Sequence, residues 1–297
     1  MNLTLKHFRY FDALARFGHF GRAAEDCAIS QPALSVQIKE LETMLGAPLV
    51  ERTSRKIKLT TLGEEFLIRA RKVLSDVDEM ATLARSSEGS LKGALRLGVI
   101  PTIAPYLLPS IIQKLGATYP DLDLQPRESV TQSLVQDLLE SRLDFIIAAL
   151  PISEPSLQEF ALFDEEFVLV RPERDADLPV PSPDKLQEMK LLLLEEGHCF
   201  RDQALEFCDL KPSDPNFIME GSSLSTLVQM VRAGLGLTLL PEMAIPLETQ
   251  QAGLSIARFS ANRPHRRIGM IWRKTSPLGP QLLELGAILR RLKPLKV

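Results

Sequence analysis

Ser30-Gln31-Pro32-Ala33-Leu34-Ser35-Val36-Gln37-Ile38-Lys39-Glu40-Leu41 reads as a helix from its first residues. A serine stands where a cap is needed, a proline follows in the first turn, and Leu34, Ile38, Leu41 and Leu45 share one stripe. Gln31, Ser35 and Lys39 fall on another face, as expected of a helix that reads base edges in a major groove. Upstream, Leu5, Phe8, Phe11, Leu14 and Ala15 recur at helical spacing up to Gly18, and Phe20 to Cys27 carries the small pair Ala23-Ala24. The turn at Ala28-Ile29-Ser30 completes a helix-turn-helix pattern. Spacing alone fits a three-helix protein-interaction bundle equally well. Downstream, Leu49 to Leu59 reads as a hairpin whose Arg52, Arg55, Lys56 and Lys58 form either a basic wing for phosphates or a solvated loop.

The charge is unevenly distributed along the chain. Residues 1–58 hold nine Lys or Arg against six Asp or Glu, whereas residues 92–297 hold 22 against 26, so the net charge of -3 conceals a basic front end. At 297 residues, with 45% apolar and 25% charged, the chain is soluble globular material of two domains or more. The opening residues lack the apolar core of a signal peptide, and no apolar run approaches the ~18 residues of a membrane span. A cytoplasmic protein with no membrane partner is expected. Thiols are normally reduced there, so a disulfide would be transient and sensory rather than structural.

Thr61-Leu62-Gly63-Glu64 fits a capping box, and Leu62, Phe66, Ala70, Val73, Val77, Met80 and Ala84 continue at spacings of three and four. A stripe this long favours a helix pairing with its own copy over one packed on its own domain. Pairing would set two recognition helices ~34 Å apart on DNA half-sites. Ser86 to Ser90 reads as a hinge. From residue 94, runs rich in Val, Ile and Leu alternate with helical patterns, which suggests an α/β sheet fold. Leu95 to Ile100, Phe145 to Leu150, Phe167 to Val170, Leu191 to Leu194 and Ile268 to Trp272 read as strands. Pro105 to Leu115, Ser133 to Glu140, Ser225 to Ala233 and Pro280 to Leu292 read as helices. The expected divisions are 1–59 for a winged helix-turn-helix, 60–90 for a linker helix and hinge, and 91–297 for a regulatory domain. Within the last, lobe I takes about 91–163 and 267–297, and lobe II about 164–266.

The chain has three cysteines, two of them in Gly197-His198-Cys199-Phe200-Arg201-Asp202-Gln203-Ala204-Leu205-Glu206-Phe207-Cys208. Cys199 stands beside a histidine and two residues before an arginine, a setting that stabilises a thiolate. If Arg201 to Leu210 is helical, the two cysteines lie ~13 Å apart, whereas a disulfide tolerates Cα atoms only up to about 7 Å apart. Bond and helix exclude each other, so oxidation would become a change of shape. Cys27 reads as a packed core thiol. Cys199, Cys208 and His198 are too few and poorly spaced for a closed zinc site, and no metal or other cofactor is expected. Taken alone, Thr102 and Thr131 read as caps of the helices that follow, and Arg266 as one member of the basic loop Arg263-Pro264-His265-Arg266-Arg267.

Ala23-Ala24, Ser30-Gln31-Pro32-Ala33-Leu34-Ser35, Ile38-Lys39-Glu40-Leu41-Glu42, Leu45-Gly46 and Leu49-Val50-Glu51-Arg52 resemble the N-terminal signature of the LysR-type transcriptional regulators. Ile100-Pro101-Thr102, Pro105-Tyr106-Leu107-Leu108-Pro109, Leu162-Phe163-Asp164-Glu165, the segment Gly197 to Ala204, Phe207-Cys208, Ser223-Leu224, Gly236 to Pro241 and Arg266 resemble its branch of OxyR-type peroxide sensors. Asp209 to Asn216 and Met219-Glu220-Gly221 differ in detail from the enteric members.

The resemblance implies an N-terminal all-α winged helix-turn-helix with a long dimerisation helix and a C-terminal α/β two-lobed regulatory domain like a periplasmic binding protein. It implies a non-enzymatic activator that senses hydrogen peroxide through a reversible Cys199-Cys208 disulfide and switches oxidative-stress genes. Cys199 would be the peroxidatic and Cys208 the resolving residue, with Thr102, Thr131, His198, Arg201, Asp202 and Arg266 around the peroxide. Ser30, Gln31, Pro32, Ser35, Lys39, Arg52, Arg55 and Lys56 would contact double-stranded promoter DNA. The implied partners are hydrogen peroxide, further copies of the chain in a dimer of dimers (a tetramer), RNA polymerase, and a thiol reductant of glutaredoxin or thioredoxin type. The alternative is a LysR regulator that binds a metabolite between the lobes and has unreactive cysteines.

Overall fold

The computed structural model describes residues 2–52, 57–86, 91–209, 220–260 and 263–292. Arg55 and Lys56 of the wing, the hinge residues Ser87 to Ser90 and the stretch Leu210 to Met219 lie outside them. The chain divides into two compact units, Met1–Ala84 and Arg85–Val297.

The first unit is built from α1 (Leu5–Phe17), α2 (Phe20–Asp26), α3 (Gln31–Leu45), the antiparallel pair β1 (Val50–Arg52) and β2 (Ile57–Leu59), and α4 (Thr61–Ser86). Each helix begins on a side-chain acceptor. Thr4 and His7 cap α1 reciprocally, the His19 ring accepts from Gly21 and Arg22, and Ser30 Oγ accepts from the Ala33 amide. Gly18 ends α1 in the left-handed region (φ 59), which glycine reaches without a Cβ penalty. The start of α4 differs from the sequence reading. Thr60, not Thr61, is the cap, accepting from the Gly63 amide at 3.0 Å, so Thr61 and Glu64 form no capping box. Phe11, Leu14, Leu34, Ile38, Leu41 and Leu49 are fully buried and make the core. At roughly 1.5–3 kcal/mol for each fully buried side chain, they outweigh the weak propensities of such short helices. Glu42 accepts from the Leu49 and Val50 amides, fixing the wing to α3, and Arg71 reaches Asp12 at 2.6 Å, fixing α4 to α1.

The second unit carries β3 (Gly93–Val99), α5 (Ala104–Thr118), β4 (Leu122–Glu128), α6 (Thr131–Leu139), β5 (Phe145–Leu150), β6 (Leu157–Pro172), α7 (Pro183–Leu186), β7 (Leu193–Leu194), α8 (Cys199–Phe207), β8 (Glu220–Gly221), α9 (Leu224–Arg232), β9 (Thr238–Pro241), α10 (Ile245–Glu248), β10 (Leu254–Ala257), β11 (His265–Arg273) and α11 (Gly279–Leu289). β4, β3 and β5 are parallel, and β11 lies antiparallel between β5 and β6. β6 runs through both lobes. Residues 157–166 pair with β11 in the first, and residues 167–172 pair with β9 and β10 in the second. The second lobe is extended by the parallel pair β7 and β8. The continuous apolar run of β5 reflects burial on both faces, as parallel sheets require.

Among the described residues, no helix is long and apolar enough to cross a membrane.

Candidate functional site

On the first unit, α3 buries Leu34, Ile38 and Leu41 and turns Gln31, Pro32 and Lys39 to solvent, with Ser35 half-buried beside them and Ser30 exposed at the cap. The same face presents Val36, 62% exposed. Sequence patterning passed over Val36 because it lies next to a buried-stripe period without belonging to it. Arg52 ends β1.

On the second unit, the helix between the cysteines begins and ends two to three residues earlier than the sequence reading. Cys199 is the first residue of α8 and Cys208 its C-terminal cap. Nine steps of about 1.5 Å keep the two ends ~13 Å apart. Both thiols are free. Cys199 is half-buried at the helix start, where backbone N–H groups lack intrahelical acceptors and negative charge is favoured. Cys208 is 0% exposed, and burial pushes its thiol up to about 12. It is therefore a neutral, sequestered thiol where it sits.

Arg266 is the hub of a buried network. Its Nε donates to Glu165 Oε2 at 2.8 Å, Nη1 to the Thr102 hydroxyl at 2.7 Å and Nη2 to the Thr102 carbonyl at 3.0 Å. Glu165 accepts in addition from the Met243 amide. Arg266 also lies 5.6 Å over the ring of Phe200, the residue after Cys199, and Phe200 stacks edge-on against Phe167. Thr102 therefore does not cap α5, whose first turn has no side-chain cap. Its hydroxyl accepts from Arg266 and keeps its own proton to donate. Thr131 is the first residue of α6, and its buried hydroxyl has no hydrogen-bond partner. Thr131 is thus no cap either.

A cleft of about 330 Å³ lies beside this network, lined among others by Thr102, Tyr106, Glu128, Ser129, His198 and Ser225. Desolvation holds His198 below its ordinary range against the opposing pull of Glu195 and Glu128, which favours the neutral ring. Tyr106 of α5 and Ser225 of α9 both donate to Glu248 Oε1, at 2.8 and 2.9 Å, and the Tyr106 bond clasps the two lobes across the cleft. Burial, and then the bond to Glu248, pushes the Tyr106 phenol up. Glu165 entered only as the last residue of the stretch Leu162 to Glu165, with no role of its own, and Glu248 had no signal in the sequence, because each works through a partner far away in the chain.

Two residues sit elsewhere. Arg201 is buried but donates to the Leu194 carbonyl at 2.8 Å and to Glu220 at 2.6 Å, so it fastens α8 to β7 and β8 instead of joining Arg266. Asp202 is exposed on the outer side of α8. Among the described residues, no group of three or more His, Cys, Asp or Glu is placed to hold a metal ion.

Residues 5–64 match the bacterial regulatory helix-turn-helix protein, lysR family, and residues 88–293 match the LysR substrate binding domain. The chain is 43% identical over 291 residues to a probable hydrogen peroxide-inducible genes activator of Streptomyces viridosporus, covering 97% of this chain and 93% of the relative. A full-length OxyR variant from Pseudomonas aeruginosa is 38% identical with a TM-score of 0.75, covering 98% of this chain and 96% of that one. An OxyR cysteine-to-serine mutant from Corynebacterium glutamicum with H2O2 bound is 38% identical with a TM-score of 0.66, covering 98% and 92%.

Proposed function

We propose, for a chain that belongs to the LysR family and within it to the OxyR-type hydrogen peroxide-inducible activators, that peroxide is detected by closing a disulfide between Cys199 and Cys208. The protein is a DNA-binding transcriptional regulator of that type and not an enzyme. The observation that carries the reading is the position of the two thiols at opposite ends of one nine-residue helix, one half-buried and one fully buried. Peroxide oxidises Cys199 to a sulfenic acid, α8 opens, and Cys208 condenses with it. Thr102 donates its free hydroxyl proton to the peroxide, and Thr131 offers the unpartnered hydroxyl at the start of α6. Arg266 positions Thr102 and brings positive charge toward the start of α8. His198 lines the cleft beside Cys199 and orients the turn into α8.

On DNA, Gln31, Ser35 and Lys39 read base edges, Ser30 and Pro32 set the helix entry, and Arg52, Arg55 and Lys56 meet phosphates. The chain acts as a dimer of dimers in the cytoplasm. Leu62, Val73 and Met80, exposed along α4, supply the pairing face. Opening of α8 changes how regulatory domains associate and thereby how the protein engages RNA polymerase. A glutaredoxin- or thioredoxin-type reductant resets it.

The test is peptide mass spectrometry of the reduced protein before and after one equivalent of hydrogen peroxide. Rapid loss of two hydrogens confined to a Cys199-Cys208 crosslink is the expected result. Unmodified thiols, or slow oxidation shared with Cys27, would shift the assignment to a regulator that answers to a metabolite in the cleft.

A further inference from the structure

The helix between the two cysteines must open before they can meet, and its two ends are fastened differently. At the N-terminal end, buried Arg201 bonds the Leu194 carbonyl and Glu220, tying the first turn of α8 to β7 and β8. At the C-terminal end the chain turns left-handed at Asp209 (φ 49), a conformation L-residues adopt at a cost, though Asp is among the more tolerant. Carbonyls in the last turn of a helix and just past it need partners from outside. Here both the Cys208 and the Asp209 carbonyls accept from one donor, Gln187 Nε2, at 2.9 and 3.4 Å. Gln187 is itself the C-terminal cap of α7. One neutral amide on a separate element thus holds the backbone of the resolving cysteine.

We propose that Gln187 is a latch on Cys208: it restrains the end of α8 and sets how fast the sulfenic acid is converted to the disulfide, without acting on the first oxidation. This rests on the disulfide reading above. In the first step the Cys199 thiolate attacks one peroxide oxygen and the O–O bond breaks. One oxygen stays on sulfur as the sulfenic acid, and the other leaves as hydroxide and takes a proton to become water. In the second step the Cys208 sulfur attacks the Cys199 sulfur, the S–O bond breaks and the S–S bond forms. The Cys208 proton leaves with the departing hydroxide as water, so the two electrons gained by peroxide come from the two thiols. Only the second step requires Cys208 to move. The Gln187 contacts must break in that movement, while Cys199 reacts at the other end of α8, ~13 Å away. Gln187 bonds the backbone carbonyls of Cys208 and Asp209, so it is a positioning residue.

The experiment uses the full chain with Gln187→Met, which keeps the length and loses the donor, and Gln187→Glu, which sets an acceptor against two carbonyls. Reduced protein is mixed with hydrogen peroxide and quenched at intervals, with dimedone trapping the Cys199 sulfenic acid and mass spectrometry counting the crosslink. Sulfenic acid is expected to form at the wild-type rate in both variants. Its conversion to the crosslink is expected to accelerate about five-fold in Gln187→Met, the worth of one ordinary hydrogen bond, and further in Gln187→Glu. Unchanged or slower conversion in both variants overturns the latch. So does an equal acceleration of both steps, which would mean a general loosening. If wild-type protein gives neither adduct nor crosslink, the disulfide reading itself fails, and that outcome is distinct from an unlatched but still reactive pair.

Discussion

Arg266 and Thr102, 164 positions apart in sequence, are joined twice, through the threonine hydroxyl at 2.7 Å and its backbone carbonyl at 3.0 Å. The guanidinium is thereby fixed in one plane with Glu165 on its remaining side. A planar, multiply bonded cation of this kind positions groups that a freely rotating one could not. It also makes the start of α5, the end of one β6 segment and β11 interdependent.

Arg266→Ala should lower the stability of the reduced protein strongly, because Glu165 would remain buried without its cation. The expected loss is about 3–5 kcal/mol. Arg266→Lys keeps the charge but cannot make the three directed bonds, and should lose less. Denaturant unfolding of the full chain checks both, and a loss under about 1 kcal/mol in the alanine variant would contradict a charged buried pair.

Cys208 makes stability depend on alkaline pH. Its thiol ionises at an ordinary value near 9 when unfolded and at about 12 when folded. Below pH 9 both states keep the proton and nothing is lost. As pH rises from 9 toward 12 the unfolded state ionises first, so stability falls, by up to about 1.4 kcal/mol per pH unit. Cys208→Ala should show a shallower decline between pH 8.5 and 10.5. Identical slopes would mean that the thiol is not sequestered.

A wing residue and a residue of α3 should separate electrostatics from readout. Arg52→Gln is expected to weaken binding across sequences and reduce the salt slope of binding by about 1. Val36→Ser should leave the slope alone and cost about 1 kcal/mol at a single position, through a lost contact with a thymine methyl. Titration over promoter variants at several salt concentrations distinguishes them, and a Val36→Ser effect spread over all sites would argue against base contact.

Ala28 occupies the left-handed region (φ 53) in the turn between α2 and α3. An L-residue there carries a penalty of about 1–2 kcal/mol, and glycine removes it while losing about 0.5–1 kcal/mol of chain entropy. Ala28→Gly should therefore stabilise the DNA-binding unit by a few tenths of a kcal/mol to about 1 kcal/mol. A lower melting temperature would show that the Ala28 methyl contributes packing that outweighs the strain.

Much of the architecture was legible because it is local. The stripe Leu34, Ile38, Leu41 predicts which face of α3 is buried, Gly18 predicts where α1 stops, and the apolar run Phe145 to Leu150 predicts a doubly buried strand. Errors fell at helix ends, where one residue decides the cap. Thr60 displaces Thr61 at α4, and α8 starts at Cys199 rather than Arg201. The site was less legible. Thr102 and Thr131 read as caps from sequence, yet one accepts from Arg266 and the other has no partner.

The sequence by itself determined the periodic faces and the nine-residue spacing of the cysteine pair, because those properties follow from residue spacing along a regular backbone. Only the tertiary structure decided which arginine is the hub, that Arg201 faces β7 and β8, that Tyr106 meets Glu248, and that Gln187 holds the carbonyl of Cys208. The reason is physical. A buried charge or carbonyl must find a partner of the right chemistry within about 3 Å, and that partner is selected by the fold's proximity in space, which spacing along the chain does not encode.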